Sequence, residues 1–188
     1  GKLNNIDIAN YYFLQAIEYA DKDVYNFEQK KAVLDTFGYF LVSQKEFDQG
    51  INRWRQSLQI KDDPIIRMRL NMLLSSEFND DQSLTQLEMI DSNSLSIELN
   101  AERYDFIAQQ YATRKQYSDA IRIQTKALEF IETAERHYML GNYLQSAQQE
   151  KKAIEQFKLA VAQDRENKIY LAALGYAYSK NDQTAQKF

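Results

Sequence analysis

The sequence predicts an all-α protein, a solenoid of antiparallel helix hairpins with no sheet. Three observations predict it. A small–bulky–small signature recurs about once per hairpin, at Ala9/Phe13/Ala16, Gly50/Trp54/Ser57, Thr85/Met89/Ser92, Ala120/Gln124/Ala127 and Ala153/Phe157/Ala160. Ahead of each of the last four, at a constant offset, stands a second anchor: Gly38, Leu73, Ala108 or Gly141. Gly175 continues that series, which advances in nearly equal steps along the chain. One proline and five glycines are too few for a turn-rich sheet protein. A period of roughly 34 residues with two helices in each is the mark of stacked hairpins.

Taken in order, residues 8–20 read as one amphipathic helix with Ala9, Phe13, Ala16 and Ile17 on a single face, the second helix of a repeat without its first. The acidic and polar residues 21–29 stretch the step from Ala9 to Gly50 beyond the common period, through a longer loop or an extended helix start. Leu34, Phe37, Gly38 and Leu41 then fall at i, i+3, i+4 and i+7 of a first helix, and residues 47–60 form its partner. Asp63 caps the following helix, with Pro64 at its first position, where a missing N–H costs nothing. The hairpin around Leu73 and Met89 keeps the spacing but loses the glycine. Residues 91–94 close it after a short second helix.

From residue 101 the first helices read Tyr104-x2-Ile107-Ala108-x2-Tyr111, His137-x2-Leu140-Gly141-x2-Leu144 and Leu171-x2-Leu174-Gly175-x2-Tyr178. This resembles the W-x2-L-G-x2-Y pattern of the tetratricopeptide-repeat family, and the A-x3-F-x2-A pattern follows the first two at the family's offset. The resemblance implies a right-handed superhelical solenoid. Residues 1–30 are expected to hold a partial repeat and connector. Residues 31–188 would hold about four full repeats, that near 65–100 divergent, and a truncated last one, all in one solenoid domain. The family's turn glycine is replaced by Lys45, Asp80, Lys115, Gln148 and Asp182, and its first-helix tryptophan is missing. The chain opens on Gly1-Lys2 and stops at Phe188 in an unfinished helical pattern, with Lys187 where a small residue is due, so a piece of a longer protein is expected.

Chemistry-bearing motifs are sparse. A net charge of -4 argues against a phosphate-tracking nucleic-acid binder. No stretch approaches the roughly 20 apolar residues that cross a bilayer. With no cysteine and one histidine, His137, an N- or S-rich metal site is not expected, nor a cofactor, and serine nucleophiles lack a histidine base. His137 is read as a packing or surface residue. The pairs Asp62/Asp63 and Asp80/Asp81 are read as helix caps. Of the many aromatics, Phe37, Phe47, Tyr104, Tyr111, Phe157 and Tyr178 sit at repeat-core offsets.

No catalytic residue is therefore assigned, and a non-enzymatic scaffold is expected. The resemblance implies that first helices line a concave groove. Transferred position by position, it selects Asp35, Tyr39, Arg67, Asp105, Gln109, Tyr138, Asn142 and Tyr176 as groove residues. Flat tyrosine faces with amide and carboxylate neighbours suit an extended peptide or a sugar polymer. The fifth positions, Asp35, Leu70, Asp105, Tyr138 and Ala172, lack the cationic clamp that family members use for a chaperone tail. The function expected is binding of an extended protein partner in the groove or along its edge. The alternative is the periplasmic arm of a bacterial outer-membrane protein in exopolysaccharide export or phage adsorption, weakly resembled by the Gln/Asn/Tyr-rich style and residues 174–178. On that reading the compartment is the periplasm or cell envelope. The absence of cysteine fits reducing and oxidising compartments alike.

Overall fold

The computed structural model describes residues 5–22 and 26–185, the side chains as far as Asn181. Its elements are helices: α1 Asn5–Lys22, α2 Phe27–Ser43, α3 Phe47–Ile60, α4 Pro64–Glu77, α5 Asp81–Met89, α6 Ile97–Thr113, α7 Tyr117–Phe130, α8 Ala134–Ser146, α9 Glu150–Gln163 and α10 Lys168–Ala185. Among the described residues a single 3-10 turn lies at Ser92–Ser94, and no strand occurs. The helices form two compact units, residues 1–73 and 74–188, whose boundary falls inside α4.

Two devices start these helices. The first helices are capped by side chains: Asn26 Oδ1 accepts from Gln29 N, Asp63 Oδ1 from Ile65 N and Ile66 N, Ser96 Oγ from Leu99 N, Thr133 Oγ1 from Arg136 N, and Asn167 Oδ1 from Ile169 N. The second helices α3, α7 and α9 have no such cap. Each follows a tight reversal in which the previous helix ends in a Schellman motif. Glu46 N donates to Leu41 O, Gln116 N to Tyr111 O and Gln149 N to Leu144 O, each at 2.9 Å. The left-handed residue of that motif is Lys45 at φ 64°, Lys115 at 60° and Gln148 at 60°, the positions where the family has glycine.

In the divergent hairpin the reversal comes one residue early. Asn79, not Asp80, takes the left-handed conformation at φ 51°, and Asp80 instead caps α5 through Gln82 N. Asparagine tolerates that conformation better than most side chains, which explains the slip. The final substitute, Asp182, makes no turn at all, because α10 runs through it to Ala185.

In the first unit, Phe37 and Leu41 of α2 and Ile51 and Trp54 of α3 are buried. Gly38 has no Cβ because the Trp54 ring lies there. Phe13 of α1 stacks on Phe37 at 4.7 Å between centroids, so the predicted α1 face is the one in contact. Of residues 21–29, the first two end α1 and α2 begins early, at Phe27; residues 23–25 lie outside the described residues.

In the second unit the pattern repeats. Leu140, Leu144, Ala153, Ile154, Phe157 and Ala177 form one cluster across α8, α9 and α10. A Cβ on Gly141 would meet Phe157 Cε1 at 2.5 Å. The divergent hairpin departs from its expected anchors. Met89 is 78% exposed and Thr85 is exposed, while Leu84, Leu87 and Ile90 are buried. The early cap at Asp80 rotates the short α5 so that this other stripe faces inward. Ser92, expected as the closing small residue, lies in the 3-10 turn.

That irregular segment is fastened by a residue the pattern did not flag. Arg103 of α6 is fully buried and donates to Ile90 O at 2.6 Å, Ser92 Oγ at 3.1 Å and Asn100 Oδ1 at 3.0 Å. Its guanidinium also lies 4.6 Å from the Tyr104 ring centroid. Burial lowers its pKa, yet an arginine keeps its charge in a protein. None of these partners is a carboxylate: neutral oxygens and a ring face stand in for one.

Candidate functional site

The groove positions of each unit divide into side chains used to join helices and side chains left facing outward. In the first unit, Asp35 belongs to the first kind. Lys31 Nζ donates to Asp35 Oδ2 at 2.7 Å and to Asp63 Oδ2 at 2.8 Å, and the Ser57 hydroxyl donates to Asp35 Oδ1. One buried ammonium thus ties α2 to the cap of α4. Burial alone would raise the Asp63 carboxyl, but hydrogen bonds from Lys31 and the Ile66 and Ile65 amides leave it below its ordinary value. Arg67 pairs with Asp62 on the surface. Tyr39 is 41% exposed and sets its ring edge against Trp54 at 5.1 Å.

In the second unit, Asp105 is likewise engaged. It accepts from Gln124 Nε2 at 2.8 Å, and Arg136 reaches it through Nε at 2.9 Å and Nη2 at 2.8 Å. The buried Tyr143 phenol is pushed up to about 12, by burial first and by the Asp105 charge second. Asp105 therefore joins α6, α7 and α8, and little of it is left for a ligand. The remaining candidates are more open. Gln109 is exposed and Asn142 half-buried. Tyr138 tilts against Tyr170 at 5.1 Å and Phe157 at 6.0 Å. Tyr176 is 54% exposed, with the Lys180 ammonium 5.7 Å from its ring centroid.

Gln109, Asn142 and Tyr176 hold the same register position on α6, α8 and α10, and Tyr138 lies one turn before Asn142. Tyr170, absent from the sequence-derived set, extends the aromatic surface of Tyr138. Its phenol is raised by burial and then by Glu135 and Asp164. Its neighbour relation to Tyr138 crosses from α8 to α10, which a motif confined to one helix does not reveal. Leu70, another groove position by resemblance, is buried, and Tyr178, read as core, is 42% exposed.

His137 is buried, with Nδ1 2.8 Å from Gln156 Oε1 and Nε2 2.8 Å from Glu132 Oε1, which makes it a packing residue that links α8 to α9. Among the described residues, no three His, Cys, Asp or Glu side chains are grouped to hold a metal. None of the described helices is long and apolar enough to cross a membrane.

No family model matches the sequence, and no curated protein matches it either. Solved structures do match. MamA from Desulfovibrio magneticus RS-1 (residue 41 to the end) is 17% identical over 84% of this chain and 89% of its own, with a TM-score of 0.67. A further MamA crystal structure is 16% identical over 81% and 82%, at 0.69. YrrB, described as a TPR protein with an unusual peptide-binding site, is 16% identical over 90% and 84%, at 0.67. At such identities the likeness speaks for architecture: the chain has the tetratricopeptide-repeat fold.

Proposed function

We propose that the chain is a non-enzymatic interaction scaffold that takes an extended segment of a protein partner on the first-helix face of its second unit. One observation carries the reading. Gln109, Asn142 and Tyr176 recur at a single register position on α6, α8 and α10, Gln109 and Tyr176 exposed and Asn142 half-buried, beside the Tyr138–Tyr170 pair that joins α8 to α10. Amide side chains can bond a peptide backbone, while half-exposed tyrosine rings offer apolar area at low entropy cost. Glu102 and Glu135, exposed on the same helix faces, favour a partner with basic side chains. The description of YrrB as peptide-binding supports the reading by analogy of fold.

The test is a fluorescence-polarisation screen of an extended-peptide library, followed by Asn142→Ala/Tyr176→Ala. The expected result is a peptide set enriched in basic residues whose binding weakens about tenfold or more in the double variant, the usual loss when two central contacts go. Peptides that bind both proteins equally would remove the face from the argument. Retention of neutral or acidic polysaccharide instead of peptide would transfer the tyrosine face to the exopolysaccharide reading.

A further inference from the structure

Two seams between first helices of the second unit are built at the same register from different chemistry. Counted back from the anchors Ala108 and Gly141, Asp105 of α6 and Tyr138 of α8 hold one position. Counted back from Gly141 and Gly175, Arg136 of α8 and Tyr170 of α10 hold another. Where α6 meets α8, these positions form an ion pair: the Arg136 guanidinium bonds Asp105 Oδ2 at 2.9 Å through Nε and 2.8 Å through Nη2. Where α8 meets α10, they form a ring pair: Tyr138 and Tyr170 lie 5.1 Å apart between centroids, tilted by 37°. The first seam holds a guanidinium of this chain. Among the described residues, no cation lies over either ring of the second, although rings elsewhere, such as Tyr104 and Tyr176, have one.

The rim of the ring pair is acidic. Glu135 lies one turn before Tyr138 on the same face of α8, is exposed, and forms no ion pair among the described residues. Asp164, which ends α9, accepts from Asn167 Nδ2 at 3.1 Å through Oδ2, and Asn167 Oδ1 in turn accepts from Tyr170 N. Asp164 Oδ1 meets no donor among the described residues. Burial first, then the charges of Glu135 and Asp164, raise the Tyr170 phenol, so both carboxylates act at the polar tip of that ring. Arg165 and Lys168, the cations nearest in sequence, are exposed and pair with neither. The rings are also fixed in advance. Tyr138 rests against the fully buried Phe157 at 6.0 Å, and Leu140 and Ala177 join α8 and α10 beneath, yet both tyrosines stay partly open.

We propose that the Tyr138–Tyr170 seam takes an arginine side chain of the partner segment, its guanidinium lying on the tyrosine rings and donating to Glu135 and Asp164. Arg136 on Asp105 is the same contact made within the chain one repeat earlier. Arginine suits the seam better than lysine, because a planar fork stacks on a ring and reaches two carboxylates at once. The assignment names one subsite of the peptide face and rests on that reading for the source of the arginine.

N-acetylarginine amide tests the subsite without a peptide. It is titrated into the chain carrying isotope-labelled tyrosine and followed by NMR, beside N-acetyllysine amide and N-acetylcitrulline amide, which is close in shape but neutral. The expected result is saturable shifts of the Tyr138 and Tyr170 ring signals with the arginine probe, about threefold or more weaker binding of the lysine probe, and no binding of the citrulline one. Glu135→Gln and Tyr170→Leu should each weaken the arginine probe about threefold or more, while Glu129→Gln, an exposed carboxylate on α7, leaves it unchanged. In library peptides, Glu135→Gln should weaken arginine-bearing sequences and spare their citrulline forms, a coupling that a merely structural role would not produce. Unmoved Tyr138 and Tyr170 signals overturn the proposal. So does lysine or citrulline binding as tightly as arginine, or indifference to both Glu135→Gln and Tyr170→Leu. Library peptides that depend on Asn142 and Tyr176 but not on Glu135 would remove the subsite and leave the peptide face. The arginine probe bound at these rings, with no library peptide bound, would remove the face and leave the subsite.

Discussion

The same substitution at two equivalent glycines should have different consequences. Gly141 and Gly175 hold the same register position in α8 and α10, and replacing either by alanine gains about 0.8–1.0 kcal/mol of helix propensity. At Gly141 the new methyl would lie 2.5 Å from Phe157 Cε1 and 2.7 Å from Cδ1. That ring is fully buried among Leu140, Leu144 and Ile154, so it cannot swing clear, and crowding of this kind costs about 1–3 kcal/mol. At Gly175 the new methyl would meet nothing within 4 Å beyond its own helix backbone. Because propensity cancels in the comparison, the difference between the variants isolates the crowding. Gly175→Ala should stabilise by about 1 kcal/mol, and Gly141→Ala should fall about 1–3 kcal/mol below it. Gly141→Leu should disrupt the α8–α9 seam outright. Urea unfolding followed by far-UV circular dichroism, at a protein concentration low enough to avoid association, measures the gap. Equal shifts for the two alanine variants would refute the packing argument.

Arg103→Met keeps most of the buried stem but strips the donors from Ile90 O, Ser92 Oγ and Asn100 Oδ1, and should cost about 3 kcal/mol in the same assay. Unchanged stability would mean that the α5 segment is held by apolar contacts alone. Acid sensitivity should report on Asp63. Its folded pKa is depressed, so its contribution is present above the unfolded value of about 4 and is lost as pH falls through the lower folded one. Lys31 has the opposite sign: although burial lowers its pKa, Asp35 and Asp63 raise it overall, so its contribution fades only as pH rises through the raised value. Asp63→Asn should flatten the acid limb of a pH–stability curve, and an acid limb identical to wild type would contradict the assignment.

What was legible in the sequence was whatever repeats. Gly38 and Gly141 had to be small because the Trp54 and Phe157 rings take the space, and Gly50 because Val42 and the α2 backbone lie against it, and a period read that directly. Asp63 and Asp80 were legible as caps from local chemistry. The misreadings came where a side chain answers to something off its own helix. Met89 fitted the spacing but lost its place when the turn moved to Asn79. Asp35 and Asp105 fitted groove positions, but Lys31, Ser57, Gln124 and Arg136 engage them, most from neighbouring helices. Arg103 gave no signal, since nothing in a lone arginine indicates a buried carbonyl at the far end of the preceding hairpin. Tyr170 was missed for the same reason, its value lying in Tyr138 on another helix.

The reversals at Lys45, Lys115 and Gln148 carry a further implication. A side chain in the left-handed region costs roughly 1–2 kcal/mol, and glycine there would avoid that cost. Glycine would also loosen the denatured chain, by roughly 0.4–1 kcal/mol per site. The two effects run against each other, and the second offsets about half of the first, so the preference for glycine at these corners is about 1 kcal/mol or less. Lys45, Lys115 and Gln148 all point into water. Each bend can therefore display a long hydrophilic chain at small cost, a place where charge could be altered to tune solubility without disturbing the seams beneath.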